Sequence, residues 1–175
     1  MNRSILLSML FFFLTGCLSV AGYKWEPKTF EAAEEMIAYS PDEFEGGGWL
    51  KSEPVTNMTY GNAIYHLRAN LDESSDVNFI QIYVNLRLSN WLFVRDVAIK
   101  SEDAELVQID TDVFDGGYVH ENVAVTISKE TLVRMANNET LIKLKGKKGN
   151  YIFSVNKNIA GAFLKQLDLH TKLPA

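Results

Sequence analysis

The chain has 175 residues, a formal net charge of −5, 47% hydrophobic residues and 22% charged ones. This composition excludes an intrinsically disordered chain, and the mild acidity argues against nucleic acid as a partner. The length suits one ordinary domain whose core is large enough to fold without staples.

Residues 11–18 read FFFLTGCL and close an uncharged run from Ile5 to Gly16. Crossing a bilayer core of roughly 30 Å takes about 20 residues, so this run is too short to span. Arg3 in front of it and the small residues Thr15 and Gly16 behind it have the layout of an export signal. Leu14, Thr15, Gly16 and Cys17 resemble the lipobox of bacterial lipoproteins, a resemblance confined to about a tenth of the chain. It implies that the signal, residues 1–16, is cut before Cys17, that the Cys17 thiol carries lipid, and that the new N-terminus is acylated. Several acyl chains at about 0.8 kcal/mol per buried methylene anchor a protein stably. Position 18 is Leu, where an Asp would mark retention in the inner membrane, so the resemblance implies the outer membrane, facing the periplasm. Cys17 is the only cysteine, which leaves no disulfide within the chain and fits a thiol consumed by lipid.

Residues 17–28 read as a lipidated tether, with one globular domain over 29–175. Thr29 is placed to cap a helix through TFEAAEEMIAYSP, with Phe30, Ala33 and Ile37 on one stripe and Pro41 as its stop. EGGGW (45–49) hands the chain to a β region. From Gly61 to Leu71, Ala63, Tyr65, Leu67, Ala69 and Leu71 fall on one face, and Asn62, His66, Arg68 and Asn70 on the other. In NFIQIYVNLRL, Ile80, Ile82, Val84, Leu86 and Leu88 alternate with Gln81, Asn85 and Arg87. Ser89 and Asn90 read as a two-residue turn joining that strand to WLFVRDVAIK in a hairpin. Ala104–Asp110 and Tyr118–Ile127 are two more strands. Ser128 caps a short helix through Met135, closed by Asn137 and Asn138. TLIKLKGKKGNYIFSV reads as a second hairpin, and Asn158 opens a last helix that buries Ile159, Phe163 and Leu167.

The order contains no regular βαβ alternation, so a doubly wound parallel sheet is not expected. The pattern predicts a mostly β member of the α+β class: an antiparallel sheet of about six or seven strands, curved or folded into a sandwich, with helices at both ends.

Signals of chemistry are sparse. His66, His120 and His170 have no zinc-site spacing, and a metal held by His120, Glu121 and a distant residue has no support in the pattern. DTDVFDGGYVHE (110–121) places acids at loop positions 1, 3 and 12 of an EF-hand, but its glycine falls one place late and its flanks read as strands. No G-x-S-x-G elbow is present. The sequence therefore predicts no enzyme, cofactor or metal. KLKGKK carries Lys143, Lys145, Lys147 and Lys148, an island of positive charge. These read as guards of a sheet edge or as a surface contact for anionic lipid, glycan or an acidic partner. The expectation is an accessory or protein-binding module of the envelope. The alternative is a carrier of a small molecule or lipid, or less so a hydrolase, with its site between the sheet and a helix.

Overall fold

A computed structural model describes residues 23–171, apart from 45, 57, 58, 60, 61, 101, 115 and 116; the expected signal and Cys17 lie outside the described residues. The chain runs β1 (Lys24–Trp25), α1 (Phe30–Glu34), β2 (Ile37–Pro41), β3 (Gly48–Ser52), β4 (Val55–Thr56), β5 (Ala63–Leu71) and β6 (Val77–Leu88). It continues with β7 (Val94–Ile99), β8 (Ala104–Phe114), β9 (Tyr118–Ile127), α2 (Lys129–Asn137), β10 (Thr140–Gly146), β11 (Gly149–Val155) and α3 (Lys157–Thr171).

The long alternating segments build the larger sheet. β5 pairs with β6, β6 with β9 and β9 with β8, all antiparallel, while β3 and β4 share the other edge of β5 and β2 pairs with β3. β5, β6 and β9 each turn alternate residues inward. Tyr65, Leu67, Ala69, Ile82, Val84, Leu86, Val123 and Val125 are all buried to 1% exposure or less. β7, β10 and β11 form a smaller antiparallel sheet with β10 in the middle. Both sheets and all three helices contribute to one continuous apolar cluster. Ile159, Phe163 and Leu167 of α3 are fully buried in it, each adding about 1.5–3 kcal/mol by leaving water. Gly161 lets α3 come close to its neighbours, since a Cβ there would lie 3.2 Å from the Phe30 ring of α1 and 3.8 Å from Ala136 of α2.

Four expectations are corrected. The first helix ends at Glu34, because Ile37–Pro41 finds a ladder of partners along β3 that outweighs a helical continuation. Ser89 and Asn90 do not close a hairpin: β9 occupies the free edge of β6, and the chain turns a corner so that β7 pairs with β10 in the other sheet. The last helix is capped by Asn156 rather than Asn158, the Asn156 Oδ1 accepting from the N–H groups of Asn158 and Ile159. The segment read as a tether is, from Lys24 on, part of the fold. β1 pairs in parallel with β4, Pro27 is buried, and Tyr65 donates to the Glu26 carboxylate at 2.6 Å while accepting from the Asn156 N–H at 2.9 Å.

Candidate functional site

The lysine island is not a guarded edge. Lys143 and Lys145 sit on β10, which has β7 on one side and β11 on the other, so the strand that carries them has no open edge. Lys145 pairs with Asp96 at 2.8 Å across to β7, and Ile142 and Leu144 on the opposite face are fully buried. Lys147 and Lys148 occupy the turn, and their backbone N–H groups donate to the carbonyls of Phe93 and Leu92. The Lys148 ammonium lies 5.1 Å from the Phe93 ring centroid, and Phe93 stacks on Trp91 at 5.9 Å. The four lysines therefore divide into a strand pair engaged with β7 and a turn pair that closes over the corner between the sheets.

That corner is held by Glu121. The Glu121 side chain, 3% exposed, points inward from β9 and accepts the N–H groups of Leu92, Phe93 (2.9 Å) and Val94 (2.8 Å). The clamp holds Phe93 at φ +55°, where a bulky residue is strained, just before β7 begins. Gly146 meets this corner from β10, where a Cβ would lie 2.3 Å from the Leu92 carbonyl oxygen. His120 leaves the other face of β9, as successive strand residues do, so His120 and Glu121 do not converge on one ion. The EF-hand resemblance fails for the same reason. Asp110 and Asp112 pair with Asn122 and His120 on the outer face, while Glu121 points into the core. Asp115 and Gly116 lie outside the described residues, and among the described residues no three His, Cys, Asp or Glu side chains are grouped to hold a metal.

The face of the larger sheet turned away from the core is where polar chemistry accumulates. Lys51, Arg68, Gln81 and Thr126 lie side by side across β3, β5, β6 and β9 by register. Gln81 Oε1 accepts from Arg68 Nε (3.0 Å) and Nη2 (2.8 Å), and its amide donates to Thr126 Oγ1 at 3.1 Å. A second rung runs from Asn85 to Asn122 and on to Asp110 across β6, β9 and β8. A bulge at Ile109, the extra residue of β8, puts Asp110 and Asp112 on this face; without it they would point inward.

Aromatic rings fill the spaces between the rungs. His66 stacks on Tyr83 at 4.9 Å, the Arg68 guanidinium lies 5.0 Å from Tyr83 and 5.7 Å from Trp49, the Lys51 ammonium lies 4.8 Å from Trp49, and Phe79 meets Trp49 edge-on. Burial, followed by the charges of Arg68 and Lys51, lowers the His66 pKa to about 4, so the imidazole is neutral at physiological pH. Burial likewise pulls Arg68 below its ordinary value. The charge on this face is graded: Lys51 and Arg68 lie at the β3–β5 side, Arg87 on β6 between, and Glu105, Asp110 and Asp112 along β8 at the other. The alternation in the sequence placed His66, Arg68, Gln81 and Asn85 on one face of their strands, but neither the rings of Trp49 and Tyr83 nor the charge gradient was visible in it.

No family model, curated protein or solved structure matches this chain.

Proposed function

We propose that this chain is a lipid-anchored envelope protein that acts without catalysis, as an accessory module binding another envelope protein through the outer face of its larger sheet. The observation that carries this reading is the contrast between the two faces. The inner one is filled by its own side chains and by α3, so the space between sheet and helix where a carried ligand would sit is occupied by Ile159, Phe163 and Leu167. The outer one spreads half-buried rings, amides and charges across five strands, the mixture typical of a surface that meets another macromolecule. The lipobox resemblance supplies the anchor at Cys17, and Leu18 favours the outer membrane, on its periplasmic side.

The test is site-specific photo-crosslinking in intact envelopes, with the reactive residue at Glu105 on the outer face or at Glu31 on α1, both exposed. The expected result is an adduct of one discrete mass from position 105 and none from position 31. Equal adducts from both positions, or none from position 105, would sink the reading.

A further inference from the structure

Lys51 and Arg68 are register partners on β3 and β5, so two positive charges stand directly opposite each other. Like charges in that arrangement repel. Among the described residues neither has a carboxylate within ion-pair distance, although acidic residues outnumber basic ones in the chain, 22 to 17. Five other cations, Lys24, Lys129, Arg134, Lys145 and Lys165, form ion pairs, so what marks Lys51 and Arg68 is that they stand opposite each other over one ring. Arg68 is also held in place rather than free, since Gln81 fixes two of its nitrogens and Tyr83 and Trp49 lie beside the guanidinium. Lys51 approaches the same Trp49 ring. Arg68 is therefore oriented and partly desolvated, Lys51 stands exposed opposite it, and no carboxylate among the described residues compensates either, which is the state of a site whose counter-charge arrives with a ligand.

We propose that Lys51 and Arg68 bind the carboxylates of an acidic polypeptide segment carried by the partner protein. The proposal rests on the reading that the outer face is the partner-binding surface. A protein segment fits better than a bilayer, because an anionic membrane lying on this face would also meet Glu105, Asp110 and Asp112 on β8. These acids lie four strand spacings from Lys51, roughly 19 Å across the sheet. A complementary partner is acidic over β3 and β5 and neutral or basic over β8, and such charge matching sets register and association rate.

The experiment measures fluorescence anisotropy of labelled hexaglutamate against the full-length protein in neutral detergent, with hexaglutamine as control. The variants are Lys51→Gln, whose exposed side chain makes loss of folding no concern, and Lys51→Gln with Arg68→Gln, whose fold is checked by its melting curve. Hexaglutamate should bind, hexaglutamine should not, and affinity should fall several-fold in the single variant and about tenfold or more in the double one. Raising the salt to about 0.5 M should weaken the wild type most. The proposal is overturned if hexaglutamate fails to bind, if both variants bind it as well as the wild type does, or if hexaglutamine binds equally. Co-sedimentation with phosphatidylglycerol vesicles that depends on Lys51 and Arg68 would overturn it in favour of lipid. Self-association lost in the double variant would overturn it in favour of the β8 acids of a second copy. Any of these results alongside a persistent adduct from position 105 leaves the binding face standing, whereas absence of that adduct in the wild type removes the face itself.

Discussion

His66 shows how a single residue acquires its character from neighbouring strands. Its own strand places it on the polar face, but the Tyr83 ring stacked on it and the two cations beside it make the charged form costly. The folded pKa of about 4 lies below the ordinary 6.5, so folding favours the neutral imidazole. Its contribution to stability is therefore complete above about pH 6.5 and is lost as pH falls from 6.5 towards 4, amounting to at most about 3 kcal/mol. His66→Phe keeps the stacked ring and removes the titration. Urea unfolding at pH 7 and pH 4.5 should show the wild type losing about 2 kcal/mol more than the variant on acidification, and parallel losses would refute the assignment. The sequence made His66 a polar-face histidine. Its burial depends on Tyr83 being the residue opposite, a matter of register between β5 and β6.

At the scale of elements, the decisive joint is the corner between β6 and β7, where the chain leaves the larger sheet for the smaller one. Backbone groups that change sheets lose their ladder partners, and a buried N–H left without one costs about 1–3 kcal/mol. Glu121 answers this by accepting three of them from the middle of β9. Glu121→Ala should destabilise the protein by about 3–5 kcal/mol in equilibrium unfolding, and Glu121→Gln, which keeps one acceptor oxygen, by about half as much. A loss below about 1 kcal/mol for the alanine variant would mean that water replaces the carboxylate and the clamp is dispensable. From the sequence, Glu121 was one acid on the strand Tyr118–Ile127, at the last position of an EF-hand-like register. Recognising its role required knowing that Leu92 and Val94 would pass beneath β9, nearly thirty residues earlier in the chain.

For the whole molecule, the strap formed by β1 shortens the chain between Cys17, the expected lipidation site, and the fold. Only residues 18–23 separate Cys17 from β1, at most roughly 20 Å at full stretch, where a tether running to residue 28 would have allowed roughly 35 Å. If Cys17 carries lipid, Lys24 would therefore lie within that reach of the membrane. None of the helices among the described residues is long and apolar enough to cross a membrane. If Cys17 is the lipidation site, Cys17→Ser should move the protein from the membrane pellet to the soluble fraction after a high-salt wash. Retention of the variant in the pellet would refute the anchor.

The segments whose own side-chain period matched their environment were legible in advance. The alternation of Ala63–Leu71 and Val77–Leu88, the cap at Ser128, the hairpin from Thr140 to Val155 and the buried stripe Ile159, Phe163 and Leu167 all stand where pattern placed them, because burial on one face writes itself into a strand or helix locally. The choice of partners was not local. Ser89 and Asn90 satisfy the chemistry of a hairpin turn, yet β9 competes for the same edge of β6 and wins by burying Val123, Val125 and Ile127. Ile37–Pro41 could continue a helix, yet β3 offers it a ladder. The outer-face site arises in the same way: Trp49, Lys51, Arg68 and Tyr83 come from three strands, and only the register between those strands puts two cations over one ring without an acid beside them.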